Sequence, residues 1–201
     1  MPESKPEPKT LLELAGADLT PARVGAATPH RLPERKYLEG PLGLPGMLPA
    51  VERAALLLAR ARDAGTPVEH VAYAGRPGGL FDRGAARGRT IEALAPHTGE
   101  TVIEKGLPNA FAGTDLHAVL ERAARKDIVV AGFMTHMCAS STARAALDLG
   151  WRVMIDALAC ATRDLPDGRG GRVGADAVHE VALVELSDRS AIVARDPGDV
   201  V

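Results

Sequence analysis

The sequence predicts an α/β protein built on a mostly parallel, doubly wound sheet covered on both faces. Three observations carry this expectation. Short apolar, β-branched runs alternate with segments of helical periodicity from about residue 48 onward. Gly- and Pro-rich stretches separate several of these segments. The alternation requires right-handed crossovers, which place helices on both sides of one sheet. A chain of 201 residues, 46% of them hydrophobic, can bury a substantial core, and its length favours one domain over 1–201.

The elements are expected in the following order. Residues 1–10 are polar and rich in Pro, Glu and Lys, and read as a loose tail. Leu11 to Ala15 can form a helical turn or two before a break at Asp18 to Pro21. Gly25 to Lys36, with two prolines and several basic residues, is a poor buried strand and an atypical first-strand region. Glu39 to Pro49 reads as loop. Leu48 to Ala64 reads as a helix stopped by Gly65, and Pro67 to Ala74 as a strand. Gly75 to Arg89 is a long Gly/Arg-rich loop of the kind that lines a site. Thr101 to Lys105 is a strand, Thr114 to about Arg125 a helix, Asp127 to Gly132 a buried strand, and Ala139 to Leu149 a helix ended by Gly150. A strand over Trp151 to Ala157, a helix over Ala175 to Leu186 and a short strand over Ser190 to Ala194 complete the pattern.

Cys138 holds the most informative position. It follows the Asp127 strand across the tight connection Phe133 to Met137 and stands at or beside a helix N-terminus, on the carboxyl edge of the sheet. Free backbone N–H groups and the helix dipole there favour thiolate over thiol and can hold an oxyanion. A cysteine in such a turn can also be a small inert hydrophobe. Lys105 ends another strand and points from the same edge, where ligands bind in open α/β sheets.

The remaining composition excludes several classes. A formal charge of −2 with mixed signs gives no reason to expect nucleic acid or an anionic membrane as partner. Two cysteines do not make a disulfide framework, no signal peptide opens the chain, and no apolar run approaches a membrane span. The expectation is a cytoplasmic protein acting on a small molecule.

Glu104-Lys105-Gly106-Leu107-Pro108-Asn109-Ala110-Phe111, with Val130-Ala131-Gly132-Phe133-Met134-Thr135-His136-Met137-Cys138, resembles the isochorismatase-like cysteine hydrolase family. Ser141 to Gly150 and Asp156-Ala157-Leu158-Ala159 continue the likeness, which spans roughly residues 37 to 194. The resemblance implies a three-layer, Rossmann-like α/β/α fold and hydrolysis of a carbon–nitrogen bond through an acyl-thioester. It assigns Cys138 as nucleophile and Lys105 as its electrostatic partner. It also implies a cis peptide at Phe133–Met134, an oxyanion hole from the Met134 and Cys138 N–H groups, and a homo-oligomer, dimer or tetramer. No cofactor is implied. The metal site of the nicotinamidase branch needs histidines after the second strand, and Gly75 to Arg89 has none, so no metal is expected.

The sequence departs from the family at one decisive place. Such enzymes carry a general-base aspartate at the end of an apolar first strand. Anchored on Tyr37 to Leu42, its place falls at Leu32, and the apolar strand itself is not evident. Glu34 stands two residues on and is a substitute base only if the backbone shifts; Asp18 lies too far upstream. Without a base, loss of proton transfer to the leaving amine costs ~10²–10⁴-fold in rate. A missing first strand would also leave a sheet edge open to self-association. His136 and Phe111 read as pocket lining, and His70 as packing or pocket wall. Cys160 reads as a small buried or loop residue. Arg76, Phe81, Arg83 and Arg87 either receive an acidic or planar substrate or form a solvated lid.

Three readings follow. The first is an amide-type hydrolase, impaired by loss of its base. The second is a non-catalytic small-molecule binder or scaffold of the same fold. The third, cleavage of an enol ether, depends on the aspartate that is missing and is the weakest.

Overall fold

The computed structural model of the chain describes residues 7–21, 27–32, 35–38 and 42–199. Six strands form the central sheet: β1 (Ala27–Leu32), β2 (Glu69–Tyr73), β3 (Thr101–Lys105), β4 (Asp127–Phe133), β5 (Arg152–Ala161) and β8 (Ile192–Ala194). Their order is β3-β2-β1-β4-β5-β8 and every pair is parallel. A small antiparallel ribbon, β6 (Leu165–Pro166) with β7 (Arg172–Val173), sits outside it. The helices are α1 (Leu11–Leu14), α2 (Met47–Asp63), α3 (Leu116–Arg122), α4 (Ser140–Asp148) and α5 (Ala175–Arg189).

Burial on both faces explains why β4 is apolar at nearly every position. Val129, Ala131 and Phe133 pack with Leu57 and Leu58 of α2 on one face. Ile128 and Val130 pack with Leu116 and Leu120 of α3, Ala143 of α4 and Leu183 and Leu186 of α5 on the other. Two cores on opposite faces of one sheet are the three layers the sequence predicts. Helix α2 buries Met47, Ala50, Val51, Ala54, Leu57, Leu58 and Ala61, an i, i+3, i+4 stripe. It stops where Gly65 turns left-handed (φ 63) and the Thr66 N–H reaches back to the Ala61 carbonyl.

The first-strand region is where expectation and structure part. Residues 27–32 do form a strand, and it lies inside the sheet rather than at an edge. Its pairing with β4 runs from Ala27↔Asp127 to Leu32↔Gly132, and it also pairs with β2. Composition penalised this segment for Pro29 and its basic residues. The ladder, however, is made by backbone groups, and strong β-formers on both sides set the conformation of the strand between them. The sheet edges are β3 and β8, so the argument for self-association from an absent first strand falls away.

Smaller differences have local causes. Strand β5 continues past Ala157 to Ala161 by way of a bulge: Val130 pairs with Ile155, but Gly132 pairs with Cys160. Cys160 therefore lies in the strand, not after it. The buried Asp156 carboxylate accepts the Ala159 N–H inside the bulge and is gripped by Arg53 of α2, at 2.8 Å from Nε and 2.7 Å from Nη2. Of the expected tail, Thr10 is the N-cap of α1 in a reciprocal capping box with Glu13, and the Leu11 N–H docks on Asp188 of α5.

Glu69, at the start of β2 beside His30 and Thr101, is 3% exposed, and its Oε2 has no hydrogen-bond partner among the described residues. Burial pushes its carboxyl up to about 7. A raised folded value means the cost is absent below the unfolded value near 4.5, grows as pH rises from there to about 7, and is fully present above it. Glu69→Gln should therefore raise the melting temperature at pH 8, on the order of 5 °C, and leave it unchanged at pH 4. An equal shift at both pH values would contradict this reading.

Candidate active site

The carboxyl end of β4 meets one helical turn. After β4 the Phe133–Met134 peptide is cis, and Thr135–Ala139 form a single π-helical turn that runs into α4. Both the Met137 and the Ala139 N–H donate to the Met134 carbonyl, at 3.0 and 3.2 Å. Cys138 therefore lies within the turn rather than before it, its side chain 1% exposed in the α3/α4/α5 core. Its thiol is free of any disulfide.

Lys105 closes β3 and is also 1% exposed. Its ammonium donates to the Pro108 carbonyl and stands 5.8 Å from the ring centroid of Tyr73, its register partner on β2. The loop that follows is tied to the cysteine's own helix, because the Ala110 N–H donates to the Thr142 hydroxyl (3.2 Å), one turn beyond Cys138. Asn109 accepts the Phe111 N–H, and Thr114 donates to the Ala110 carbonyl, so both residues shape this loop. Phe111 lies half-buried against the cluster that contains Cys138. The fold thus brings the lysine-bearing and cysteine-bearing segments together.

Two histidines brace the turn. The His136 Nδ1 meets the Thr162 hydroxyl at the end of β5, so the ring is committed away from the Cys138 thiol and no Cys–His pair forms. His179 of α5, which the sequence reading did not single out, meets the Thr135 hydroxyl at 2.8 Å. Burial lowers the pKa of both rings, with Arg163 adding to the effect at His136. Their contacts are those of braces, not of proton carriers.

Of the other expected residues, Glu34 lies outside the described residues. Leu32 ends β1 opposite Gly132, one residue short of the cis peptide. His70 is buried against Glu100 (2.7 Å), which burial-opposing bonds from Arg62 and His97 hold near pKa 2; it is packing. Phe81 folds over Tyr73, ring centroids 4.4 Å apart. The loop carrying it is built, not loose: Asp82 accepts the Gly78 and Gly84 N–H groups, Arg83 donates to the Gly88 carbonyl, and Arg87 to the Gly78 and Gly79 carbonyls. Any side chain at Gly88 would strike the Asp82 carbonyl. Lys36 is a second surprise, 4% exposed, with its ammonium 4.3 Å from the Phe81 centroid. A basic pair, Arg35-Lys36, in a proline-rich segment was its only sequence signal. Among the described residues no group of His, Cys, Asp and Glu is arranged to hold a metal ion, and no helix is long and apolar enough to cross a membrane.

The model of the isochorismatase domain matches residues 35–195. The chain belongs to the isochorismatase family. The match begins after β1, the strand whose composition is least typical. A crystal structure of an isochorismatase from Pseudomonas putida superposes with a TM-score of 0.92 at 39% identity, covering 97% of this chain and all of that one. A secreted isochorismatase effector from Verticillium dahliae is 35% identical over 158 residues, 76% of this chain and 78% of that protein. A maleamate amidohydrolase from Pseudomonas putida is 36% identical over 130 residues, 57% of this chain and 61% of that protein. The family is one of hydrolases, and amide hydrolases are among its members.

Proposed function

We propose that this isochorismatase-family chain hydrolyses an amide-type carbon–nitrogen bond of a small molecule through a thioester on Cys138. The observation that supports this most is the Ala110–Thr142 link, which fixes the Lys105 loop against the helix that bears the thiol. In this reading the Cys138 sulfur attacks the carbonyl carbon and the charge moves to the carbonyl oxygen. The Met134 and Cys138 N–H groups receive that oxygen. The Lys105 ammonium favours the thiolate. Collapse breaks the carbon–nitrogen bond, the amine leaves with one proton, and water then releases the acid and restores the thiol.

The proton step is the weak one. A hydrocarbon side chain at position 32 can neither take the thiol proton nor pass it to the amine, so amide turnover is slow. The same observation favours the second reading, in which the site binds carboxamides without cleaving them.

The nucleophile assignment is tested by labelling with iodoacetamide at neutral pH. Cys138 and Cys160 are 1% and 5% exposed, so a difference in rate reports chemistry rather than access. Cys138 is expected to label at least ~10-fold faster, and Lys105→Met to remove most of that advantage. Faster labelling of Cys160 would refute the assignment. An unchanged rate in Lys105→Met would remove the lysine from the site.

A further inference from the structure

We propose that His179 is a positioning residue for the reaction: acting through the Thr135 hydroxyl, it holds the turn that carries Cys138 in its reactive geometry. The inference rests on the reading of Cys138 as the nucleophile and goes beyond it, because the ring comes from another element, 44 residues beyond Thr135 in the chain.

Helix α5 turns one polar ring toward the interior. Its buried residues are Ala175, Ala182, Leu183 and Leu186, and His179 falls on the same stripe, one turn before Ala182 and Leu183. An apolar side chain would complete that stripe. The ring Nδ1 instead meets the Thr135 hydroxyl at 2.8 Å. Thr135 is 0% exposed, and a hydroxyl sealed from water needs such a partner. Space-filling does not explain the ring, because His179 also borders a cavity of about 220 Å³ that Thr162 lines as well. The ring leaves room beside it and makes a bond.

Two consecutive residues at the start of the turn are tied to different elements. Thr135 is held to α5 through His179, and His136 to the end of β5 through Thr162. Cys138 follows in the same turn, between the Met137 and Ala139 N–H groups that both donate to the Met134 carbonyl. A rotation at Thr135 therefore moves the thiol and the neighbouring N–H groups together. Helix α5 is a firm anchor for this: Leu183 and Leu186 share a core with Cys138 and Ala139, and Asp188 receives the Leu11 N–H at 2.9 Å. Displacing a reacting group by ~1 Å can cost on the order of 10²-fold in rate. One hydrogen bond at this place bears on reactivity beyond its share of stability.

The test is the rate at which iodoacetamide labels Cys138 at neutral pH in His179→Leu, Thr135→Val, the double variant and His179→Asn, with a melting curve for each. Removing one partner strands the other in the interior and destabilises, whereas replacing both by apolar side chains is close to neutral. Positioning therefore predicts that reactivity and stability separate. His179→Leu and Thr135→Val should each label Cys138 ~10-fold more slowly than wild type. The double variant should label as slowly as either single change rather than ~100-fold more slowly, while its melting temperature returns toward that of wild type. His179→Asn places an amide atom two bonds from Cβ, where the ring Nδ1 stands, and should keep the wild-type rate. A double variant whose rate recovers with its melting temperature would show a bond that serves stability alone, and would overturn the proposal. So would a rate in His179→Leu equal to or above wild type, single effects that multiply, or His179→Asn labelling as slowly as His179→Leu. If the double variant does not fold, the Asn and Leu variants decide between them. Wild-type Cys138 labelling more slowly than Cys160 would refute the nucleophile reading instead, and leaves the comparison among the variants standing.

Discussion

Leu32→Asp is expected to raise amide turnover by ~10²–10⁴-fold, the value of a positioned general acid–base group. The register supports the choice of position: Leu32 ends β1 inside the sheet, opposite Gly132, one residue before the cis peptide that opens the nucleophile turn. Glycine leaves the facing strand without a side chain there. A carboxylate at this carboxyl edge can take the proton from sulfur and return it to the leaving amine, a transfer no hydrocarbon performs. Introducing a charge at the end of a strand inside the sheet can cost a few kcal/mol, so the variant's melting curve must first show a folded protein. Glu34→Gln supplies the contrasting result. If Glu34 acts as the base, this change abolishes the wild-type rate, because the amide keeps the shape but accepts no proton. Strong wild-type amidase activity that survives Glu34→Gln and is not raised by Leu32→Asp would show that the base lies elsewhere.

Most of the architecture was legible because periodicity and Gly/Pro punctuation agreed. The apolar stripe of α2, its stop at Gly65 and the doubly buried β4 are each written in local residue types. β1 was not legible, because its conformation is imposed by β2 and β4, which lie far away in sequence. The site divides along the same line. Cys138 and Lys105 were visible as strand-end residues within dense motifs. His179 was not, since its bond to Thr135 joins residues 44 apart and depends on how α5 settles on the turn. Lys36 and Tyr73 were missed for a similar reason: the aromatic sandwich around the lysine exists only once the 75–89 loop has folded back over the end of β2. His136 was visible, but its ring direction is set by Thr162 at the end of the bulged β5.

The central claim is that Cys138 forms an acyl bond, and its second consequence is as large as the first. Cys138→Ala should lower amide turnover, measured in the Leu32→Asp background where the rate is highest, by on the order of 10³-fold or more, because no other group takes over as nucleophile. The most direct measurement avoids the weak proton step altogether. A 4-nitrophenyl acetate leaving group departs as a stable anion and needs no proton, so acylation reports the nucleophile alone. Peptide mass mapping after a brief exposure and acid quench should find one acetyl group on the peptide containing Cys138, and none there in Cys138→Ala. Acetylation confined to Cys160 or to lysines, or a Cys138 peptide left unmodified while the reagent is consumed, would contradict the account.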